Sequence, residues 1–136
     1  MVSLELTREQ KKLVEKTREL VEGEIQPHSL RMDQRGDDSF DGSLIELLAK
    51  HNLVCPTIPR DFGGLGLSHL STALVIEEIA AGSAGLASVV DANMHAASPI
   101  ILAGSENLKK QFLPLLTSDS GAIASFALTE PQAGSD

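Results

Sequence analysis

Leu13, Val14, Thr17, Leu20, Val21 and Ile25 recur at helical spacing, and charged residues fill the positions between them. That pattern gathers the apolar side chains on one face of an α-helix. Thr7-Arg8-Glu9-Gln10 stands ahead of it as a capping box, in which hydroxyl and amide satisfy free N–H groups at the helix start. Pro27 is expected to end this first helix. The polar stretch "HSLRMDQRGDDSFDGS" then reads as a surface loop.

Leu44, Ile45, Leu47 and Leu48 mark a short second helix that stops near Asn52, a residue that tolerates left-handed geometry. "LVCPTIPRDFGGLGLS" follows, and its two prolines and three glycines exclude a regular helix. Ser68 or Ser71 caps a third helix through Leu74, Val75, Ile76, Ile79 and Ala80. "GSAGLASVVDANMHAASPIILAG" is small and apolar nearly all round, with Asp91, Asn93 and His95 as its strongly polar positions. Such a helix is expected to be buried against several partners, with a kink or break at Pro99. Ser105-Glu106 opens a shorter fifth helix that carries Lys109 and Lys110 toward its end, where cations suit the helix dipole. Ala122 to Thr129 is an apolar run after a glycine turn and reads as one strand. A lone strand needs a neighbour for its N–H and C=O groups, and no second strand pattern lies upstream.

The pattern therefore predicts an all-α bundle of about five helices with one short C-terminal strand. A lone strand of this kind is the first sign of a chain built to continue.

The totals narrow the function classes. A chain of 136 residues is one domain's worth, and 42% hydrophobic residues suffice for an ordinary core. A net charge of −8 argues against nucleic-acid binding and against a polybasic membrane surface. Cys55 is the single cysteine, so no internal disulfide can form, and a reducing, cytoplasmic setting is expected. The N-terminus lacks the pattern of a signal peptide, and no uninterrupted apolar run suggests a membrane span. The histidines at 28, 51, 69 and 95 show no metal-ligand spacing, so no metal site is expected.

"FALTEPQAGSD" at 126–136 resembles the signature of the acyl-CoA dehydrogenase family. "IPRDFGGLGLS" at 58–68 resembles the family's glycine-rich loop. "EEIAAGSAGLASVV" is similar to its third-to-fourth helix junction, and "PIILAGSENLKKQFLPLLTS" to its fifth-helix region. The departures are Gln132 where Gly is frequent, Asn52 where Gly is common, and the absence of a frequent Pro from "DSFDGSLIE".

The resemblance implies an FAD-dependent acyl-CoA dehydrogenase that removes a proton α to a thioester and passes hydride from the β carbon to flavin. It implies a step of fatty acid β-oxidation in lipid metabolism, with residues 1–120 as the family's N-terminal helical domain and 121–136 as the first strand and flavin-binding turn of a middle β-domain beyond this chain. It implies that Phe126, Leu128 and Thr129 face the flavin ring, and that Gly134 and Ser135 approach the diphosphate. Ser135 is also implied to touch the acyl-CoA substrate. Without the resemblance, Thr129 is a strand cap and Gly134-Ser135 an ordinary turn.

Asp91 and His95, spaced i, i+4, can meet. With Met94 they either shape the far end of the acyl pocket or form a packed, satisfied pair. Glu77-Glu78 reads as a solvated face plus one ion pair toward the buried side. The glycines of loop 58–67 serve either a substrate entrance or a plain connection between helices. No catalytic residue is assigned, because the family's carboxylate base comes from a C-terminal bundle. The 136 residues alone are thus expected to be inactive. Electron-transfer flavoprotein is the implied electron acceptor, and a homo-oligomer the implied state of the whole enzyme. A related acyl-CoA oxidase or other flavin oxidase, and a non-catalytic helical interaction module, stand as alternatives.

Overall fold

Thr7 begins the ordered helix. Gln10 N–H donates to Thr7 Oγ1 at 3.2 Å, and Thr7 N–H donates to Gln10 Oε1 at 2.9 Å, closing the capping box. From this start the computed structural model describes residues 5–35 and 42–134. Helix α1 (Arg8–Leu20) runs through a π turn (Val21–Ile25) into α2 (Gln26–Arg35) as one continuous rod. Then come α3 (Ser43–Lys50), α4 (His69–Gly82), α5 (Ala84–Ala103) and α6 (Glu106–Phe112). Short 3-10 turns lie at Arg60–Phe62 and Leu113–Thr117. With α1 and α2 counted as one rod, the described residues form an all-α bundle of five helical units.

Pro27 does not end the first helix. The Gln26 N–H donates to the Val21 carbonyl, five residues back, and this register shift places Pro27 in the first turn of α2. The π register accommodates Pro27, which has no N–H to give and whose ring would clash with the carbonyl of an ordinary α-helical i−4 residue. Residues 28–35 of the expected loop are consequently helical, while 36–41 lie outside the described residues.

The main core joins α1, the π turn, α3, α4 and α5 through Leu20, Ile25, Leu48, Val75, Ile79 and Val90. A second cluster gathers Cys55, Ile58, Ala97, Leu113 and Leu116. α3 ends as the sequence suggests: Asn52 has φ 56°, Asn52 N–H donates to Ala49, and Leu53 N–H donates to Leu48. This paired closure satisfies the last helical carbonyls. Ser68, rather than Ser71, caps α4, accepting from Ser71 N–H at 3.2 Å.

α5 corrects an expectation. Its buried residues are Leu86, Ala87, Val90, Asn93 and Ala97, a single stripe, and Leu102 is 83% exposed. Composition sets what a helix can bury, but the number of neighbours is decided by packing, and here the described elements cover one side. The helix continues unbroken through Pro99. By length and composition alone α5 is apolar enough to cross a membrane, but its buried stripe packs inside this domain.

Residues 122–129 form no strand ladder among the described residues. No neighbouring described segment offers a partner row of N–H and C=O groups.

Candidate functional site

The segment that carries the C-terminal motif is held at its root. Gly121 turns the chain with φ 68°, and its N–H donates to the Ser118 carbonyl at 3.1 Å. A β-carbon at Gly121 would lie 2.7 Å from Ile45 Cγ2 and 3.0 Å from the Ile45 carbonyl oxygen, so glycine fits on both counts. Three residues on, Ala124 N–H donates to Asn93 Oδ1 at 2.6 Å. Met94, Ala122 and Ala124 pack against the second cluster around Ala97 and Leu113.

Beyond this root the side chains face outward. Phe126 is 47% and Leu128 69% exposed, and Thr129 is exposed as well. A tight turn follows, in which Glu130 N–H donates to Ala133 at 2.9 Å and Ala133 N–H to Glu130 at 3.3 Å. A β-carbon on Gly134 would meet nothing within 4 Å, so this backbone is open to approach. Ser135 lies outside the described residues. Two apolar side chains, a hydroxyl and a bare glycine thus follow one another along an open edge.

Asp91 and His95 meet as their spacing suggests. His95 Nδ1 lies 3.0 Å from the Asp91 carbonyl oxygen and 3.4 Å from Asp91 Oδ2, with both side chains at least half exposed. Met94 is half-buried and packs against the second cluster instead. The structure thus splits the three, two outward and one inward. A cavity of about 620 Å³ lies elsewhere, beside Thr7, Arg60 and Ser68.

Glu78 accepts from Arg18 Nε at 2.9 Å and Nη2 at 2.6 Å, while Glu77 is exposed, which matches the one-ion-pair reading. The loop at 58–67 is fastened on itself: Gly66 N–H donates to Ile58 at 2.8 Å and Leu67 N–H to Pro56 at 3.0 Å. Thr117 Oγ1 ties it to the last 3-10 turn by donating to the Phe62 carbonyl at 2.9 Å. Cys55 is free and buried, and burial pushes its thiol up from the ordinary cysteine range. Among the described residues no group of three His, Cys, Asp or Glu side chains is placed to hold a metal ion.

Two residues that shape this site escaped the motif reading. Asn93 stood out as a polar residue in an apolar run, but nothing in the sequence names Ala124 as its partner. Gly121 was visible as a turn, but its contact with Ile45 spans the fold.

The structure is a helical domain followed by an exposed segment that carries Phe126, Leu128, Thr129 and Gly134. The family model for the acyl-CoA dehydrogenase N-terminal domain matches residues 7–120. The chain belongs to the acyl-CoA dehydrogenase family. It is similar to a cyclohex-1-ene-1-carbonyl-CoA dehydrogenase from Syntrophus aciditrophicus, 39% identical over 132 residues, which cover 97% of this chain and 31% of the relative. A solved acyl-CoA dehydrogenase from Bacillus anthracis, complexed with FAD, superimposes with a TM-score of 0.81 at 29% identity, covering 100% of this chain and 23% of that one. A chain from a structure of the electron transferring flavoprotein of Acidaminococcus fermentans superimposes with a TM-score of 0.84 at 28% identity, covering 98% of this chain and 34% of that one. The chain thus spans about a third of the length of the curated relative.

Proposed function

We propose that this chain supplies the N-terminal helical domain, residues 1–120, and the first flavin-facing segment, 121–136, of an FAD-dependent acyl-CoA dehydrogenase. The observation that carries the reading is the exposed row Phe126, Leu128 and Thr129, rooted at Asn93 and placed directly after the family-matched domain. When bound, FAD supplies the hydride acceptor. The chain's own residues bind and orient. Phe126 and Leu128 cover apolar ring surface and exclude water, and Thr129 directs a hydroxyl and an N–H at the edge where negative charge accumulates. Gly134 and Ser135 approach the diphosphate, and Ser135 also reaches the acyl-CoA. Asp91, Met94 and His95 border the far end of the acyl chain's path, Met94 from the inner side.

The carboxylate base lies outside residues 1–136 in this reading, as do the rest of the flavin cradle and the contacts of a homo-oligomer. Electron-transfer flavoprotein reoxidises the flavin, in keeping with the flavoprotein structure among the neighbours. A cytoplasmic setting accords with the free, buried Cys55.

An FAD titration of the 136-residue polypeptide, followed by flavin absorbance and fluorescence, tests the reading. Saturable binding weakened about tenfold by Thr129→Ala, the scale of one lost charge-assisted hydrogen bond, is expected. Equal affinity in wild type and Thr129→Ala would place the flavin elsewhere.

A further inference from the structure

We propose that Asn93 is the positioning residue that sets where Phe126, Leu128 and Thr129 stand, by holding residues 122–129 onto α5 through the Ala124 amide. The anchoring part stands on geometry alone; its consequence for flavin rests on the function proposed above.

Asn93 is fully buried in the stripe Leu86, Val90, Asn93 and Ala97, where an apolar residue costs nothing and an amide must be desolvated. Its Oδ1 accepts from Ala124 N–H at 2.6 Å, and its Nδ2 has no partner among the described residues. A buried amide whose two N–H donors lack partners among the described residues is destabilising, so its presence points to a compensating role. Among the described residues between Gly121 and Glu130, the Ala124 amide is the one backbone N–H with a hydrogen-bond partner. Without it, eight residues would hang from Gly121 on the weak packing of Ala122 and Ala124 alone. Asn93 is itself fixed from below, where Cys55 Sγ lies 3.8 Å from the Asn93 carbonyl oxygen. Ala124 and Thr129 are five residues apart, so the anchor limits where the Thr129 hydroxyl can be. Asn93 acts through this segment and touches no reacting atom.

Amide hydrogen exchange by nuclear magnetic resonance on the full 136-residue chain tests this. In wild type, Ala124 should be the most protected amide between 122 and 129. Asn93→Leu, of similar size but without an acceptor, should speed Ala124 exchange about tenfold while Ile79 and Val90 keep their protection. The Phe126 and Thr129 amide shifts should move toward unfolded values in the same variant. Asn93→Asp retains the acceptor and should restore both signals. Uniform exchange across 122–129 in wild type overturns the anchor even if Asn93→Leu fails to fold. So does an Asn93→Leu variant whose Ala124 exchange, or whose Thr129 shift, is unchanged. Flavin affinity should fall in Asn93→Leu and recover in Asn93→Asp. Failure of wild type to take up FAD counts against the functional reading alone, because exchange and shifts decide the anchor without it.

Discussion

Gly82, at the end of α4, lies against Val21 of the π turn so closely that an added β-carbon would come within 2.5 Å of Val21 Cγ1. Val21 is buried and β-branched, so it cannot swing aside. Overpacking of this kind costs about 1–3 kcal/mol, and the helix propensity gained from alanine returns at most about 1 kcal/mol. Gly82→Ala should therefore lower the thermal midpoint. Gly85, in the first turn of α5, has open space around its α-carbon, and Gly85→Ala should leave the midpoint unchanged or raise it. A pair of melting curves decides both.

Gly121→Ala combines two penalties, a left-handed φ of 68° and a collision with Ile45. The expected loss is about 2 kcal/mol by urea denaturation. Since Gly121 roots the motif segment, the Ala122 and Ala124 amide resonances should shift in the same variant. A neutral effect on stability would show that the turn is not held against α3.

Asn52, with φ 56°, closes α3 where a glycine would be least strained. Asn52→Gly should be neutral or mildly stabilising, whereas Asn52→Ala should cost about 1 kcal/mol. Chemical denaturation of the two variants checks the contrast.

Burial penalises the Cys55 thiolate, so the folded chain holds this proton to higher pH than the unfolded chain does, whose thiol titrates near about 8.5. The stability it contributes is full below that value and is lost as pH rises through the raised range of the folded thiol. Unfolding free energy followed from pH 7 upward should fall more steeply in wild type than in Cys55→Ala. Parallel curves would contradict the burial argument.

The local rules were readable wherever the cause was local. The capping box at Thr7 and Gln10, the left-handed Asn52 and the serine cap of α4 each depend on residues within a few positions, and each stands as the spacing implied. Pro27 misled because the π turn at Val21–Ile25, which accommodates it, has no sequence signature of its own. The apolar composition of α5 showed what it could bury, but which side was covered depended on α4, α6 and the final 3-10 turn. The same limit applies to the site. The row from Phe126 to Gly134 was legible as a motif, while the Asn93–Ala124 and Gly121–Ile45 contacts join segments more than thirty residues apart along the chain and leave no trace in local pattern.

The most direct test of the account places residues 1–136 in the corresponding position of the Syntrophus aciditrophicus cyclohex-1-ene-1-carbonyl-CoA dehydrogenase, to which the chain is 39% identical. Bound FAD is then measured in the purified chimera and in its Thr129→Ala variant. Stoichiometric flavin is expected in the chimera, with an affinity about tenfold weaker in the variant. A folded chimera without flavin, or one whose affinity ignores Thr129→Ala, would contradict the claim that this segment forms a wall of the flavin site.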